Sequence, residues 1–283
     1  MAITLRALLQ TQLQIKIVDI GANPVDGKPP YLPLLEANGA RVLGFEPQAD
    51  ALAKLNAAKS ANETYLPHAV GDGKNHTLHI CAVSGMTSLL RPNPAVLNLM
   101  HGFPEWGRVV QTEEIATRRL DDIPEAADMD LLKIDIQGAE LMVMENGIHA
   151  LKNALLVHTE VEFMPMYVDQ PLFGDVDQFL RRQGFVLHRL EEVRSRVLKP
   201  LLVNNDIYAG LSQWFWSDAL YIRDFTRLDL FSTDQLLKLS LILHECYGSY
   251  DLVLYLLGEY DRRSATKFAT RYQQEILMAK PTS

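Results

Sequence analysis

Three carboxylates in this chain stand where short apolar runs end. Asp19 nearly closes Ile15-Lys-Ile-Val-Asp-Ile20 and heads the small-residue turn Asp19-Ile-Gly21-Ala22-Asn23. Glu46 closes Arg41-Val-Leu-Gly-Phe-Glu46 with Pro47 behind it, and Asp72 sits between Gly71 and Gly73 after a third run. Strand, small-residue turn and helix is how open α/β folds hold a nucleotide-bearing ligand at the carboxyl edge of a sheet. The dinucleotide form relies on Gly-x-Gly-x-x-Gly, because backbone must approach a pyrophosphate. Here Gly21-Ala22-Asn23-Pro24 lacks the second glycine, which disfavours a nicotinamide enzyme, and the turn brings its own carboxylate. An acidic turn suits a cationic ligand, and S-adenosylmethionine carries both an α-ammonium and a sulfonium. Glu46 is then placed to accept from the ribose hydroxyls and Asp72 from the adenine amine. Each has a plainer alternative: a structural turn carboxylate for Asp19, a solvated strand end for Glu46, a turn former between glycines for Asp72.

Methyl transfer from a sulfonium is an in-line displacement, so much of its catalysis is positioning. An aliphatic hydroxyl acceptor also gains from a general base within hydrogen-bond reach. Leu131-Leu-Lys-Ile-Asp135-Ile136-Gln137 resumes the sheet and puts Asp135 at a strand end, beside the expected methyl position. On the next strand His158, Glu160 and Glu162 alternate with Val157, Thr159 and Val161, so all three point to one side. A polar face on a buried strand is costly unless its groups are paired or functional. Asp135 is the first candidate, orienting cofactor or acceptor, with Glu160 or His158 as base. The plainer alternatives are a core histidine at 158 and ion pairs from Glu160 and Glu162 to Lys133 or Arg181. Asp135 with Glu160 or Glu162 would also suit magnesium, but the pattern does not require a metal. Met86, Ser88, Trp106, Glu162 and Tyr167 fall in segments expected to border an acceptor pocket, as do Phe103 and Phe173, or else pack those segments onto the sheet.

The elements that must position these residues alternate. Residues 5–13 read as a short amphipathic helix, 15–20 as a strand, and 30–38 as a helix with prolines in its first turn and Gly39 past its end. A strand at 41–46, a helix from Pro47 to about 59 and a strand at 64–70 follow, a rhythm that demands a parallel sheet with helices on its faces. Residues 74–119 break it: two short strands, 77–82 and 108–112, flank Gly85-Met-Thr-Ser88 and a Pro/Gly-rich stretch, and read as an insertion over the carboxyl edge. Strands at 131–136, 155–163, 184–189 and 218–223 complete the sheet, with helices from Ala139 and from the capping-box spacing Asp175-Val-Asp-Gln178. Ser232-Thr-Asp-Gln235 opens a Leu-rich helix, and helical patterns at 252–260 and 265–278 end the chain. The division is thus an N-terminal helix (1–14), a sheet domain (15–225) and a helical C-terminal extension (226–283) outside it. The face Leu236, Leu239, Ile242 and Leu243 either covers its own domain or joins a second copy in a homodimer.

Hydrophobic residues at 48% and charged residues at 22% suit an ordinary globular chain of 283 residues. A net charge of −8 without a Lys/Arg run argues against a nucleic-acid partner. The sequence has no apolar run of about 20 residues to span a membrane. The first residues are too short and polar-interrupted for a signal peptide, and Cys81 and Cys246 read as buried free thiols of a reducing compartment, so a cytoplasmic protein is expected.

Four segments together resemble one family. Val18-Asp-Ile-Gly-Ala-Asn23, Gly44-Phe-Glu-Pro47, Thr117-Arg-Arg-Leu-Asp-Asp-Ile123 and Leu132-Lys-Ile-Asp-Ile-Gln-Gly-Ala-Glu140 look like the successive motifs of the FkbM-type methyltransferases, in the family's order over roughly residues 15–190. The resemblance implies a class I methyltransferase (Rossmann-like) sheet of seven strands, mostly parallel with the last antiparallel, and S-adenosylmethionine as donor. The cofactor residues are then expected among Asp19, Gly21, Ala22, Asn23, Glu46, Pro47, Gly71, Asp72, Asp135, Ile136 and Gln137. It further implies O-methylation of a hydroxyl on a sugar, glycolipid or secondary metabolite. Three departures stand out: the opening loop, Pro24 to Pro30, is longer and proline-rich, Gln137 replaces the glutamate of many members, and the helical tail lies outside the family core. The alternative is a non-catalytic cofactor-binding or assembly module whose working part is the tail.

Overall fold

In the computed structural model, residues 4–23 and 27–278 are described; Pro24 and Asp26 of the proline-rich loop lie outside them. The strands are β1 (Ile15–Ile20), β2 (Ala40–Phe45), β3 (Glu63–Leu66), β4 (Ala69–Gly71), β5 (Asn75–Cys81), β6 (Val109–Arg119), β7 (Leu131–Ile134), β8 (Leu156–Glu162), β9 (Phe185–Ser195) and β10 (Trp214–Arg223). The helices are α1 (Leu5–Leu9), α2 (Leu32–Glu36), α3 (Ala49–Ala58), α4 (Pro94–Leu97), α5 (Phe103–Trp106), α6 (Glu140–Glu145), α7 (Ile148–Leu151), α8 (Phe173–Arg182), α9 (Thr233–Tyr247), α10 (Tyr250–Ser264) and α11 (Phe268–Tyr272).

Seven strands form the main sheet in the order β3-β2-β1-β7-β8-β10-β9. All neighbours run parallel except β10, which is antiparallel to both β8 and β9. Asp19 registers with Lys133, Lys133 with His158, and Glu160 with Asp218. With a side-chain period of two, these residues and Asp135 share one face of the sheet.

That face is apolar at one end and polar at the other. Ile15, Ile17, Leu131, Leu156, Leu220 and Ile222 cover its lower half and pack with α1, α2 and the tail. The opposite face buries Val18, Ile20, Leu132, Ile134, Val157, Val161 and Tyr221 against Val143 and Met144 of α6 and Val176, Phe179 and Leu180 of α8.

The tail is therefore not set apart. Leu236, Leu239, Ile242 and Leu243 are all 0% exposed, in one cluster with the sheet and α1, so this face of α9 covers its own chain. The capping box is present, with Ser232 Oγ accepting from Gln235 N at 3.2 Å and Gln235 Oε1 accepting from Ser232 N at 2.9 Å. Lys238 of α9 also reaches the buried Asp130 at 2.9 Å, at the foot of β7.

Several expected boundaries shift. The third strand divides at Pro67-His68 into β3 of the main sheet and β4 of a second, three-stranded sheet in the order β4-β6-β5. Pro67 has no N–H to continue a ladder. The strand expected at 108–112 continues to Arg119 because β6 pairs with β5 and then β4. The cap of α8 moves upstream: Asp175 is the third helical residue, and its carboxylate accepts from Leu172 N at 2.9 Å. Cys81 is buried, Cys246 half-buried, and both are free. Among the described residues no helix is long and apolar enough to cross a membrane.

A tail that shares the core predicts one unfolding transition in urea for the whole chain. Ile242→Ala should destabilise that transition by about 2–5 kcal/mol. Two resolved transitions, with only one moved by the substitution, would instead mark the tail as an independent unit.

Candidate active site

The turn after β1 requires glycine. Gly21 adopts φ +81°, and a Cβ there would lie 2.0 Å from the carbonyl oxygen of Asp135. Asp135 N in turn donates to Ile20 O at 3.1 Å, so the ends of β1 and β7 are locked together. Over this junction runs a narrow slot of about 110 Å³ lined by Gly21, Asn23, Glu46, Pro47, Gln48, His68, Val70, Leu78, Ser88, Asp135, Ile136 and Gln137. Glu46 is 2% exposed, and its Oε1 accepts from Gln48 N at 2.7 Å. Burial pushes the Glu46 carboxyl up, the Gln48 N–H opposes this, and the charge of Asp19 adds to it.

Asp19 lies beyond the turn, on the polar half-face. Its Oδ2 accepts from the Tyr31 hydroxyl at 2.5 Å. Its buried Oδ1 has no hydrogen-bond partner and stands 3.8 Å from Lys133 Nζ. Ala22, Asn23, Lys133 and Asp135 line the same space, a cavity of about 330 Å³ that continues the slot past Gly21.

Asp72 and Gly71 do not line the slot. Asp72 Oδ1 accepts from Lys74 N at 3.0 Å and meets His76 Nε2 at 2.7 Å, so it shapes the turn into β5. Burial alone would raise its carboxyl, but the His76 and Lys74 contacts hold it well below the usual range. The expected adenine contact is thus corrected, because β4 leaves the main sheet and carries Asp72 away. His68, Ala69 and Val70 face the slot instead.

Asp135 lines the slot, the cavity beside Asp19 and a third, larger cavity of about 730 Å³. Next to it Gln137 adopts φ +62°, followed by Gly138 at +103°. This tight turn is held by the Glu140 carboxylate, which accepts from Ile136 N at 2.7 Å and from Gly138 N at 2.9 Å. The turn aims Gln137 Nε2 at two carboxylates, donating to Asp135 Oδ1 and to Glu160 Oε2, each at 2.9 Å. Its Oε1 lies 3.1 Å from the Tyr167 hydroxyl, and its main-chain oxygen accepts from the Ser88 hydroxyl at 2.7 Å. A glutamate at position 137 would have no N–H to give; the amide joins the carboxylates where the acid would repel them.

Glu160, Glu162, His158, Met86, Trp106 and Tyr167 line the large cavity. The ion pairs that were the plainer alternative for Glu160 and Glu162 are not formed: Lys133 stands 3.8 Å from both Asp19 and Asp135, and Arg181 pairs with Asp177 at 2.7 Å. His158 is held by side chains rather than backbone, with Nδ1 3.1 Å from the Tyr247 hydroxyl and Nε2 3.5 Å from Asp218. Burial, then the charges of Asp135 and Glu162, raises the Glu160 carboxyl; burial, then Glu140 and Asp135, raises Glu162. Burial lifts Glu140 to about 7 despite its backbone donors. Asp135, Glu140 and Glu160 each bring an oxygen within 4.8 Å of the others, but Glu140 is engaged by backbone N–H groups and Gln137 bridges the other two.

The large cavity also draws on residues the sequence reading did not single out. Arg189, Arg194, Arg196, Trp216 and Asp218 come from the β9–β10 region, and Tyr247 from the end of α9. Their convergence depends on β10 lying between β8 and β9 and on where α9 ends, which no local pattern encodes.

The strand order, the antiparallel β10 inserted before β9, and a slot at the carboxyl ends of β1, β2 and β7 define a class I methyltransferase fold. Residues 19–187 match the methyltransferase FkbM domain, and the chain belongs to that family. No curated protein matches the chain. Among solved structures, it is similar to precorrin-6y C5,15-methyltransferase from Geobacter metallireducens at 13% identity and TM-score 0.37, over 78% of this chain and 86% of that one. A SAM-dependent methyltransferase from Aquifex aeolicus aligns at 13% identity and TM-score 0.33, over 76% and 88%. The M. capricolum TrmK complex with S-adenosylhomocysteine aligns at 8% identity and TM-score 0.35, over 98% and 99%. The family's methyl donor is S-adenosylmethionine, and the residues present fit it: a buried carboxylate on the slot at Glu46, a side-chain-free approach at Gly21, and an orphaned anionic oxygen at Asp19 for an ammonium.

Two outcomes are expected. Glu46→Ala should weaken S-adenosylhomocysteine binding at least about tenfold in calorimetry, the scale of a lost charge-assisted hydrogen-bond pair. The second concerns stability. Glu140, Glu160 and Glu162 have folded pKa values raised above the ordinary unfolded value of about 4.3, so each contribution is full below that pH and is lost as pH rises through the group's folded value, about 7 for Glu140. Denaturation midpoints should therefore fall between pH 5 and pH 8, by up to about 1.4 kcal/mol per pH unit per group. Glu162→Gln should flatten that slope; an unchanged slope would contradict the assignment.

Proposed function

We propose that this chain transfers the methyl group of S-adenosylmethionine to a hydroxyl of a small-molecule or glycan acceptor, a sugar, glycolipid or secondary metabolite, seated in the large cavity. The observation that carries the reading is the position of Asp135 on all three cavities, with Gln137 bonding it to Glu160. S-adenosylmethionine supplies an electrophilic methyl on a sulfonium that departs as a neutral thioether. Glu46 and the Gly21 turn would hold the adenosyl half, and Asp19 would receive the ammonium end. The Asp135–Gln137 pair orients the acceptor hydroxyl at the junction. The Glu160 carboxylate would take the proton of the acceptor hydroxyl as that oxygen is methylated. His158, fixed between Tyr247 and Asp218, lines the same cavity as Glu160. Two free thiols are in keeping with a reducing cytoplasmic setting.

Glu160→Gln should lower kcat by about 10²–10⁴-fold with S-adenosylhomocysteine affinity unchanged within about twofold. Wild-type activity should rise with pH as the raised Glu160 carboxyl loses its proton. Transfer of labelled methyl to a panel of polyhydroxylated acceptors measures both, and full activity in Glu160→Gln would remove Glu160 as base.

A further inference from the structure

Arg196 stands in the wall of the large cavity, without a counterion among the described residues. Its guanidinium carbon lies 4.6 Å from the centre of the Trp216 ring and 5.9 Å from that of Phe103, so stacking fixes the plane of the group. Nη1 donates to Ser195 O at 2.8 Å. Nε–H is buried with no acceptor, and among the described residues Nη2 makes no hydrogen bond. The neighbouring arginines differ. Arg189 is neutralised by Glu191 at 2.5 Å and also donates to Tyr247 O at 2.6 Å, while Arg194 pairs with Glu192. Among the described residues Asp206 attracts Arg196 without forming an ion pair with it, and Arg194 repels it.

An enclosed N–H with no acceptor costs about 1–3 kcal/mol, so its persistence calls for an occupant. The Nε and Nη2 hydrogens share one edge of the guanidinium, the edge that grips a carboxylate or phosphate with two parallel bonds. Phe103 and Trp106, packed at 4.9 Å, line the same cavity and offer apolar surface to a ring. Glu160 and Glu162, on the same cavity, form no ion pair with Arg196 and hold raised pKa values, so they leave its charge unanswered.

We propose that Arg196 anchors an anionic oxygen group, a carboxylate or a phosphate, carried by the acceptor. Its hydroxyl is thereby presented to the Asp135–Gln137–Glu160 cluster while the charge is held on the Trp216 side. The proposal rests on the reading of the large cavity as the acceptor's. It identifies the acceptor as an anionic hydroxylated molecule, such as a sugar acid or a sugar phosphate, rather than a neutral one.

The test uses three probes, glucose, glucuronate and glucose 6-phosphate, titrated by saturation-transfer NMR into the full chain loaded with S-adenosylhomocysteine. One or both anionic probes should bind at least about tenfold more tightly than glucose, and the tighter of the two names the group. Arg196→Gln should abolish the preference and Arg196→Lys should keep part of it, both with unchanged S-adenosylhomocysteine affinity, which reports an intact fold. No preference for the anionic probes in the wild type, or a preference that survives Arg196→Gln, would overturn the proposal. Failure of the wild type to bind S-adenosylhomocysteine would instead strike the methyltransferase reading, and the two failures are read in separate titrations.

Discussion

The contact between the Gly21 backbone and the Asp135 carbonyl oxygen is the constraint from which the rest of the site follows. With no side chain at Gly21, the ends of β1 and β7 close to a separation that a single methyl group would violate. That closure places Asp135 at the meeting point of three cavities and sets Gln137 into a left-handed turn beside it. Left-handed backbone at a non-glycine residue is a strained state that its surroundings must hold, and here Glu140 holds it through backbone N–H groups on both sides of the turn.

The second organising feature is the division of one sheet face. Its lower half is apolar and covered by α1, α2 and α9; its upper half carries Asp19, Lys133, Asp135, His158, Glu160 and Asp218. The acids outnumber Lys133, and burial pushes carboxyls up while Lys133, pulled down by burial, is driven up further by Asp19 and Asp135. The boundary between the halves is where Tyr247, at the end of α9, meets His158. A segment that looked like an appendix thus closes the core and supplies a wall of the large cavity.

Much of this was legible in the sequence. The Asp19–Asn23 turn, Glu46 at a strand end and the Leu132–Glu140 segment each carry a local pattern that fixes an element and the strand end at which its polar residues stand. The polar alternation of β8 was legible too, because a period of two along a buried strand is a strong signal. Asp72 misled because a turn between two glycines looks the same whether the strand before it stays in the sheet or crosses to another; Pro67 was the overlooked hint. Arg196, Trp216 and Tyr247 were not legible, since their convergence depends on β10 entering the sheet between β8 and β9 and on where α9 ends. Such placement is set by long-range packing, for which a strand's own sequence carries no code.

The most direct test of the central claim is calorimetric titration of S-adenosylhomocysteine into the wild type and Gly21→Ala, with thermal unfolding run in parallel. The account predicts saturable binding to the wild type and a loss of at least about tenfold in the variant, since a Cβ at this position forces apart the backbone that shapes the slot. Absence of binding to the wild type, or equal affinity in a Gly21→Ala variant of unchanged stability, would contradict it.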